Sequence, residues 1–281
     1  MIRITDEELD RFVHDDLPYG DLTTRSLGLG AGAATMVFRA GGALVASSTE
    51  EAARLLARLG CAVTLAATSG TRTAAGDPLL SATGPADAVL AGWKVAQTLV
   101  EYASGIASAA APIVDAARTV RPDIVIACTR KTFPGTKAVA IKAVIAGGAV
   151  PHRLGLSDSV LLFPEHRALL GEGSMAEAVR RLKSSCPEKK VVVEVTSVDE
   201  AEAAAQAGAD VIQLEKFTPA QTAAVAKRLG GPGGILIAAA GGINAANAGA
   251  YAEAGASILV TSAPYSAPPV DVKVTIMPAT A

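Results

Sequence analysis

From about residue 110 onward, short apolar runs alternate with longer segments of helical spacing. The apolar runs fall at 124–128, 149–153, 159–163, 190–195, 210–214, 234–239 and 257–261. Helical spacing fits between most of them: from Thr136, and over 174–185, 198–207, 218–229 and 244–254. This alternation predicts a parallel sheet with crossover helices. Continuous apolar strands flanked by helices fit a closed barrel, and a doubly wound open sheet would leave the same pattern. The first 110 residues are organised differently. Ile4, Leu9, Phe12 and Val13 can share one helical face, with Thr5 as a cap. Asp15 to Thr24 is a polar, turn-rich loop. Strands are expected over 33–46 around Gly41–Gly42, an amphipathic helix from Glu50 to Leu59, and a small antiparallel sheet over 61–83. A helix from Ala86 to Ala111 carries an unusual polar set, including Lys94, Gln97, Thr98, Glu101 and Tyr102.

Composition narrows the class. With 281 residues, half of them apolar, the chain can build one large domain, or one with a smaller companion. Abundant Ala and Gly with few aromatics suit helices lying close on a sheet. A net charge of −2, with no basic tail, argues against a nucleic-acid partner. Cys61, Cys128 and Cys186 are far apart and form no metal-ligand motif, so they read as thiols of a reducing compartment. The opening MIRITDEELDRF is acidic and amphipathic, unlike a signal peptide, and no apolar run approaches a membrane span. The expectation is a cytoplasmic protein with no membrane partner.

Charge is unevenly placed. Between Arg118 and Arg167 stand eight Lys or Arg against three acids, together with His152 and His166. Much of this excess falls just after predicted strands. In a βα barrel the active site lies at the strands' C-terminal ends. Reading that rim gives Thr129-Arg130-Lys131, His152-Arg153, Phe163, Glu194, Glu215-Lys216, Gly241-Gly242 and Thr261-Ser262. Arg130 and Arg153 can grip carboxylates in bidentate fashion. Lys131 is a point charge suited to phosphate, and His152 can hydrogen-bond an anionic substrate. Glu194 and Glu215 can hold Mg²⁺ that already carries phosphate oxygens. Gly241-Gly242-Ile243-Asn244 is expected to open a helix and present backbone N–H groups to a phosphate. Together these parts suit a substrate with carboxylate, phosphate and pyrophosphate groups. No Cys-His or Ser-His arrangement suggests a covalent nucleophile.

The chain resembles the quinolinate phosphoribosyltransferase family over nearly its full length. The resemblance rests on GDLTT at 20–24, SGIA at 104–107, TRKTFPGTK at 129–137, GGAVPHRLGLSDSVLL at 147–162, VEV at 193–195 and AAAGGI at 238–243. It implies an α/β protein with an N-terminal α/β sandwich domain (1–108), a seven-stranded α/β barrel (109–268) and a C-terminal segment (269–281) returning to the first domain. It also implies a homodimer with shared active sites, in which one subunit's N-terminal domain covers the other's barrel mouth. Arg130, His152 and Arg153 would bind an aromatic acid's carboxylates, with Lys94 contributed by the partner subunit. Lys131, Glu194 and Glu215 would form the catalytic set, binding phosphoribosyl pyrophosphate and its Mg²⁺. Gly241 and Gly242 would hold the 5′-phosphate, with Thr261 and Ser262 assigned to the same phosphate site.

The chain departs from the quinolinate enzymes at several places. The family's Lys-Asp-Asn-His after the third barrel strand is here Phe163-Pro164-Glu165-His166. An Arg before the SGIA segment is Lys94, an Asp ending the fifth strand is Glu215, and a Glu in the next strand is Ala238. These departures are similar to the ModD subfamily, pyrophosphorylase-like proteins associated with molybdate-transport genes. The resulting expectation is a Mg²⁺-dependent transfer of a phosphoribosyl group to a small anionic, nitrogen-containing acceptor, with release of pyrophosphate. Phe163 would line the acceptor's pocket. Two alternatives stand beside it: a genuine decarboxylating quinolinate phosphoribosyltransferase, and a non-catalytic protein that binds an anion or nucleotide.

Overall fold

A computed structural model describes residues 2–170, 174–230 and 234–279. The chain divides into two units: Met1–Ala111, Thr132–Gly148 and Pro264–Ala281 form the first, Pro112–Lys131 and Ala149–Ala263 the second.

In chain order the first unit begins with α1 (Asp6–Asp16), α2 (Leu22–Leu27), β1 (Ala33–Ala40), β2 (Leu44–Val45) and α3 (Thr49–Arg58). There follow β3 (Ala62–Leu65), β4 (Arg72–Thr73), β5 (Pro78–Pro85) and α4 (Ala86–Val120). A reciprocal cap between Thr5 and Glu8 starts α1, which buries Leu9. The polar loop 15–24 ends in a helix that sequence reading missed: Asp21 accepts from the Thr23 and Thr24 N–H groups at 2.9 and 3.1 Å, so GDLTT is an N-cap. The helix α4 also outruns its expected end at Ala111, continuing through Pro112 to Val120 over 35 residues. Its residues up to 111 belong to the first unit.

The strand β1 is a central member of an antiparallel sheet ordered β13-β1-β5-β3, where β13 is Val272–Pro278. Its alternating burial turns Met36, Phe38 and Ala40 toward Leu55 and Leu56 of α3 and Val89, Ala96 and Val100 of α4. Contrary to the expectation of one small sheet over 61–83, β4 leaves that sheet and pairs with β2. The segment after Lys131 contributes α5 (Lys137–Ala146) to this unit. There Lys142 bonds Glu50 of α3 at 3.1 Å and also its neighbour Glu51. At the end of α5 a Cβ on Gly147 would lie 2.5 Å from the Ala107 carbonyl oxygen, so only glycine permits this approach to α4.

The second unit holds β6 (Val125–Cys128), β7 (Val150–Pro151), β8 (Val160–Leu162), α6 (Pro164–Leu169), α7 (Met175–Ser185) and β9 (Val191–Val195). It continues with α8 (Val198–Gln206), β10 (Val211–Glu215), α9 (Pro219–Leu229), β11 (Leu236–Ala240), α10 (Ala248–Glu253) and β12 (Ile258–Thr261). The seven strands form one parallel sheet ordered β7-β6-β12-β11-β10-β9-β8. Successive strands are neighbours and the first strand pairs with the last, which is barrel order and excludes a doubly wound sheet. Among the described residues, the ladder is interrupted between β7 and β8. Val192, Val211, Leu236, Ala238, Ala240, Ile258, Val260 and Ala127 pack together as the barrel interior. The alternate positions Val191, Val193, Ile212, Leu214 and Ile237 face the helices.

Candidate active site

The barrel mouth is a cavity of about 950 Å³ at the C-terminal strand ends. Every rim residue expected from sequence lines it: Thr129, Arg130, Lys131, His152, Arg153, Phe163, Glu194, Glu215, Lys216, Gly241, Gly242, Thr261 and Ser262. Lys94 lies in the first unit, on α4, and is not among the lining residues. Its ammonium bonds Gln97 Oε1 at 3.1 Å and sits 4.4 Å from the centre of the Trp93 ring.

Backbone bonds carry the strand register into the rim. Thr129 N–H donates to Thr261 O at 2.9 Å, and His152 N–H to Cys128 O at 2.7 Å. These hold Arg130 and Arg153 at the ends of adjacent strands. Arg153 is only 7% exposed, and among the described residues no carboxylate lies within ion-pair range of it. Its guanidinium lies 5.5 Å from the centre of the Phe163 ring, a cation–π contact. Phe163 in turn stacks on His166 at 5.8 Å, and its N–H donates to His166 Nδ1 at 3.0 Å. Burial, and then the charge of Arg130, press the Arg153 pKa below its ordinary value. Burial, and then Arg153, lower the His152 pKa below its ordinary value, which favours the neutral imidazole.

The opposite wall carries the carboxylates. Glu194 is pushed above its ordinary pKa by burial, against the hydrogen bond that Gln213 Nε2 donates to it at 2.6 Å; Glu215 and Glu165 push it further up. Among the described residues no group of three His, Cys, Asp or Glu converges as a metal cage. Two carboxylates facing one cavity fit Mg²⁺ only as a partial oxygen donor set, completed by water and phosphate oxygens.

Lys216 follows Glu215 with φ +60°, a left-handed conformation that costs a non-glycine residue. The turn is held by Lys216 N–H donating to Ala240 O at 2.8 Å. It also depends on Gly241, where a Cβ would meet Lys216 Cγ at 2.7 Å and its N at 2.9 Å. The glycine pair does not open a helix directly: α10 starts at Ala248, after a turn in which Asn244 and Asn247 side chains donate to Gly242 O. Asparagine side chains satisfy this turn, which is why the helix begins later than its apolar spacing suggests. The Thr261 hydroxyl donates to Ile243 O at 2.7 Å and so shapes the rim, leaving Ser262 as the half-exposed hydroxyl beside it.

Gln213, Glu165 and Thr196 also line the cavity and were not expected there from sequence. Gln213 had a signal: it is the one polar residue in the apolar run 210–214 after Asp210, two positions before Glu215, and so on the same face.

Parallel strands in barrel order, with cations and carboxylates converging on the mouth, define a barrel enzyme site for an anionic substrate. The chain belongs to the quinolinate phosphoribosyl transferase family: the family's N-terminal domain matches residues 21–104 and its C-terminal domain residues 106–275. Within that family it is similar to the candidate pyrophosphorylase ModD of Rhodobacter capsulatus, 55% identical over 88% of this chain and 96% of the relative. The ModD protein of Pasteurella multocida is 38% identical over 98% of this chain and 99% of its own. Among solved structures, NadC from Streptococcus pyogenes superposes with a TM-score of 0.91 at 25% identity, covering 100% of both chains. Among the described residues no helix is long and apolar enough to cross a membrane.

Proposed function

We propose that this chain is a ModD-like phosphoribosyltransferase. It joins a nitrogen of a small anionic acceptor to the anomeric carbon of phosphoribosyl pyrophosphate and releases pyrophosphate. The observation that carries this reading is the set of four cations, Arg130, Lys131, Arg153 and Lys216, facing the same cavity as Glu194 and Glu215 with no carboxylate in ion-pair range among the described residues. A charge set of this kind awaits anions from outside the chain.

The acceptor nitrogen's lone pair forms the new N–C bond. The bond from the anomeric carbon to the pyrophosphate oxygen breaks, and its electron pair leaves on pyrophosphate. Arg153, buried and backed by Phe163, holds an acceptor carboxylate together with Arg130 and neutral His152. Lys131 and Lys216 stabilise charge gathering on the leaving group. Glu194 and Glu215 would hold Mg²⁺, which would supply positive charge to the leaving pyrophosphate. Catalysis is then mainly positioning and electrostatics. The working form is a homodimer in the cytoplasm, with Lys94 of a second subunit completing the acceptor's charge set. A link to molybdenum handling follows the ModD resemblance alone.

The test is pyrophosphate release from phosphoribosyl pyrophosphate, followed across a panel of aromatic nitrogen acids with and without Mg²⁺. Binding of donor and acceptors without any release would favour a non-catalytic anion-binding protein. Efficient conversion of quinolinate would favour a genuine quinolinate enzyme. Mixing inactive Lys94→Ala and Arg130→Ala chains should restore part of the activity if sites are shared, and no recovery would remove the dimer reading.

A further inference from the structure

Gln213 is 4% exposed and lies in the interior-facing row of β10, between Glu194 on β9 and Ala238 on β11, with which it is in register. Its Nε2 donates to Glu194 Oε2 at 2.6 Å, while its Oε1 is buried with no hydrogen-bond partner. Native proteins rarely leave a buried polar atom unpaired, and this one belongs to a residue lining the cavity. Turning the amide over would set Oε1 against the Glu194 carboxylate, so the bond to Glu194 fixes Oε1 as the end left with an unused acceptor. The neighbouring positions on β11 are Ala238 and Ala240, buried alanines whose side chains carry no donor for this oxygen.

An amide oxygen only accepts. Phosphate, pyrophosphate and carboxylate groups, which the cations gather, have no proton to offer it when ionised. The remaining donors on the donor substrate are the hydroxyls of its sugar. We infer that Gln213 is a sugar-recognition residue, its Oε1 accepting a hydrogen bond from a ribosyl hydroxyl of the phosphoribosyl donor while its Nε2 holds Glu194 in place. The inference rests on the phosphoribosyl-transfer reading above. An N–H on the acceptor would offer the same chemistry, and the ligands below separate the two sources.

The test is calorimetric binding of phosphoribosyl pyrophosphate, ribose 5-phosphate and inorganic pyrophosphate, with Mg²⁺, to the full-length wild type, Gln213→Met and Gln213→Asn. Met keeps the length and removes the acceptor; Asn keeps the amide and withdraws it by a methylene. Both variants should bind the two sugar ligands about tenfold more weakly, the size of one lost hydrogen bond, and pyrophosphate within about twofold of wild type. Either variant suffices if the other fails to fold. Equal weakening toward pyrophosphate would mean that Gln213 acts only through Glu194, and would overturn the inference. Unchanged sugar binding with reduced turnover would assign the bond to the acceptor and equally overturn it. A wild type that ignores phosphoribosyl pyrophosphate altogether would instead sink the transferase reading.

Discussion

Two clusters of charge in this molecule follow opposite rules. In the first unit Lys142 is met by both Glu50 and Glu51, and Glu50 also accepts from the Ser69 N–H at 2.9 Å and the Ser69 hydroxyl at 2.6 Å. In the second unit Arg130, Lys131, Arg153 and Lys216 share one cavity, and among the described residues none has a carboxylate within ion-pair range. The first arrangement removes charges from water and satisfies them at once, tying α5 to α3. The second gathers like charges at a cost, visible in the downward pressure on Arg153 from burial and from Arg130. Lys216 adds a left-handed backbone to that cost. Complete pairing marks charges that hold the fold, and convergence without pairing marks charges kept for a ligand.

Arg153→Met tests the contrast most severely. A carboxylate gripped by two charge-assisted hydrogen bonds, each worth about 1.5–3 kcal/mol, should lose more than two decades of affinity. The thermal midpoint should stay level or rise, because repulsion with Arg130 is relieved. Competition binding and a melting curve read the two effects separately. A large fall in the midpoint with unchanged ligand affinity would put Arg153 with the structural charges.

Lys142→Met is the mirror experiment. The Glu51 side chain is only 7% exposed, and removing its cation leaves a buried carboxylate uncompensated. The expected loss is about 3 kcal/mol of unfolding free energy in a urea titration, with ligand affinity unchanged. Acid should expose the same cluster. Burial raises Glu50, but the Ser69 hydrogen bonds and the charge of Lys142 outweigh it and bring its pKa from 4.5 to about 2. A carboxylate depressed on folding stabilises above its unfolded pKa, so its contribution is intact above about 4.5 and lost as pH falls toward about 2. Ser69→Ala should flatten that part of the stability profile. An unchanged profile would show that Glu50 is not held as described.

Glu194→Gln and Glu215→Gln should have a smaller effect, and one confined to the metal. Each should weaken Mg²⁺-dependent donor binding by about tenfold, as expected for loss of one charged partner. Identical donor affinity in EDTA and in Mg²⁺ for the wild type would end the metal proposal.

Strand periodicity made the barrel legible, because apolar runs buried on both faces leave few other solutions. The last strand's return beside the first could not be read from it, since open and closed sheets share that local pattern. At the mouth, residue type and strand-end position located the cations, both glutamates and the glycine pair. What stayed hidden depended on partners distant in sequence. The helix expected to end at Ala111 runs on through Pro112 to Val120. Asp21 looked like loop polarity and is a cap. Gln213 went unread in its strand; it lines the cavity and carries a buried oxygen without a hydrogen-bond partner. Phe163 looked like a lost lysine.

Phe163 is where the comparison can be sharpened with the smallest expected effect. If the barrel mouth merely lacked a cation there, Phe163→Lys should raise quinolinate turnover. The structure assigns the ring a task of its own: its face lies 5.5 Å from the Arg153 guanidinium, and it also stacks on the His166 ring at 5.8 Å. A cation over an aromatic face is worth about 0.5–1 kcal/mol when exposed and about 2 when desolvated. Lysine would remove that face and set a second cation beside an arginine already pressed by burial and by Arg130. Any new contact to the donor is then offset by a less well-held Arg153. The expected change in nicotinate mononucleotide formation from quinolinate and phosphoribosyl pyrophosphate is within about threefold, or under ~0.7 kcal/mol. Phe163→Leu, which loses the face without adding charge, should weaken carboxylate binding modestly and leave donor binding alone. A tenfold or greater gain in Phe163→Lys would show that the mouth was short of a cation after all. Arg153 would then need no aromatic support, and the rule separating unpaired from paired charge would fail at the residue where it is most specific.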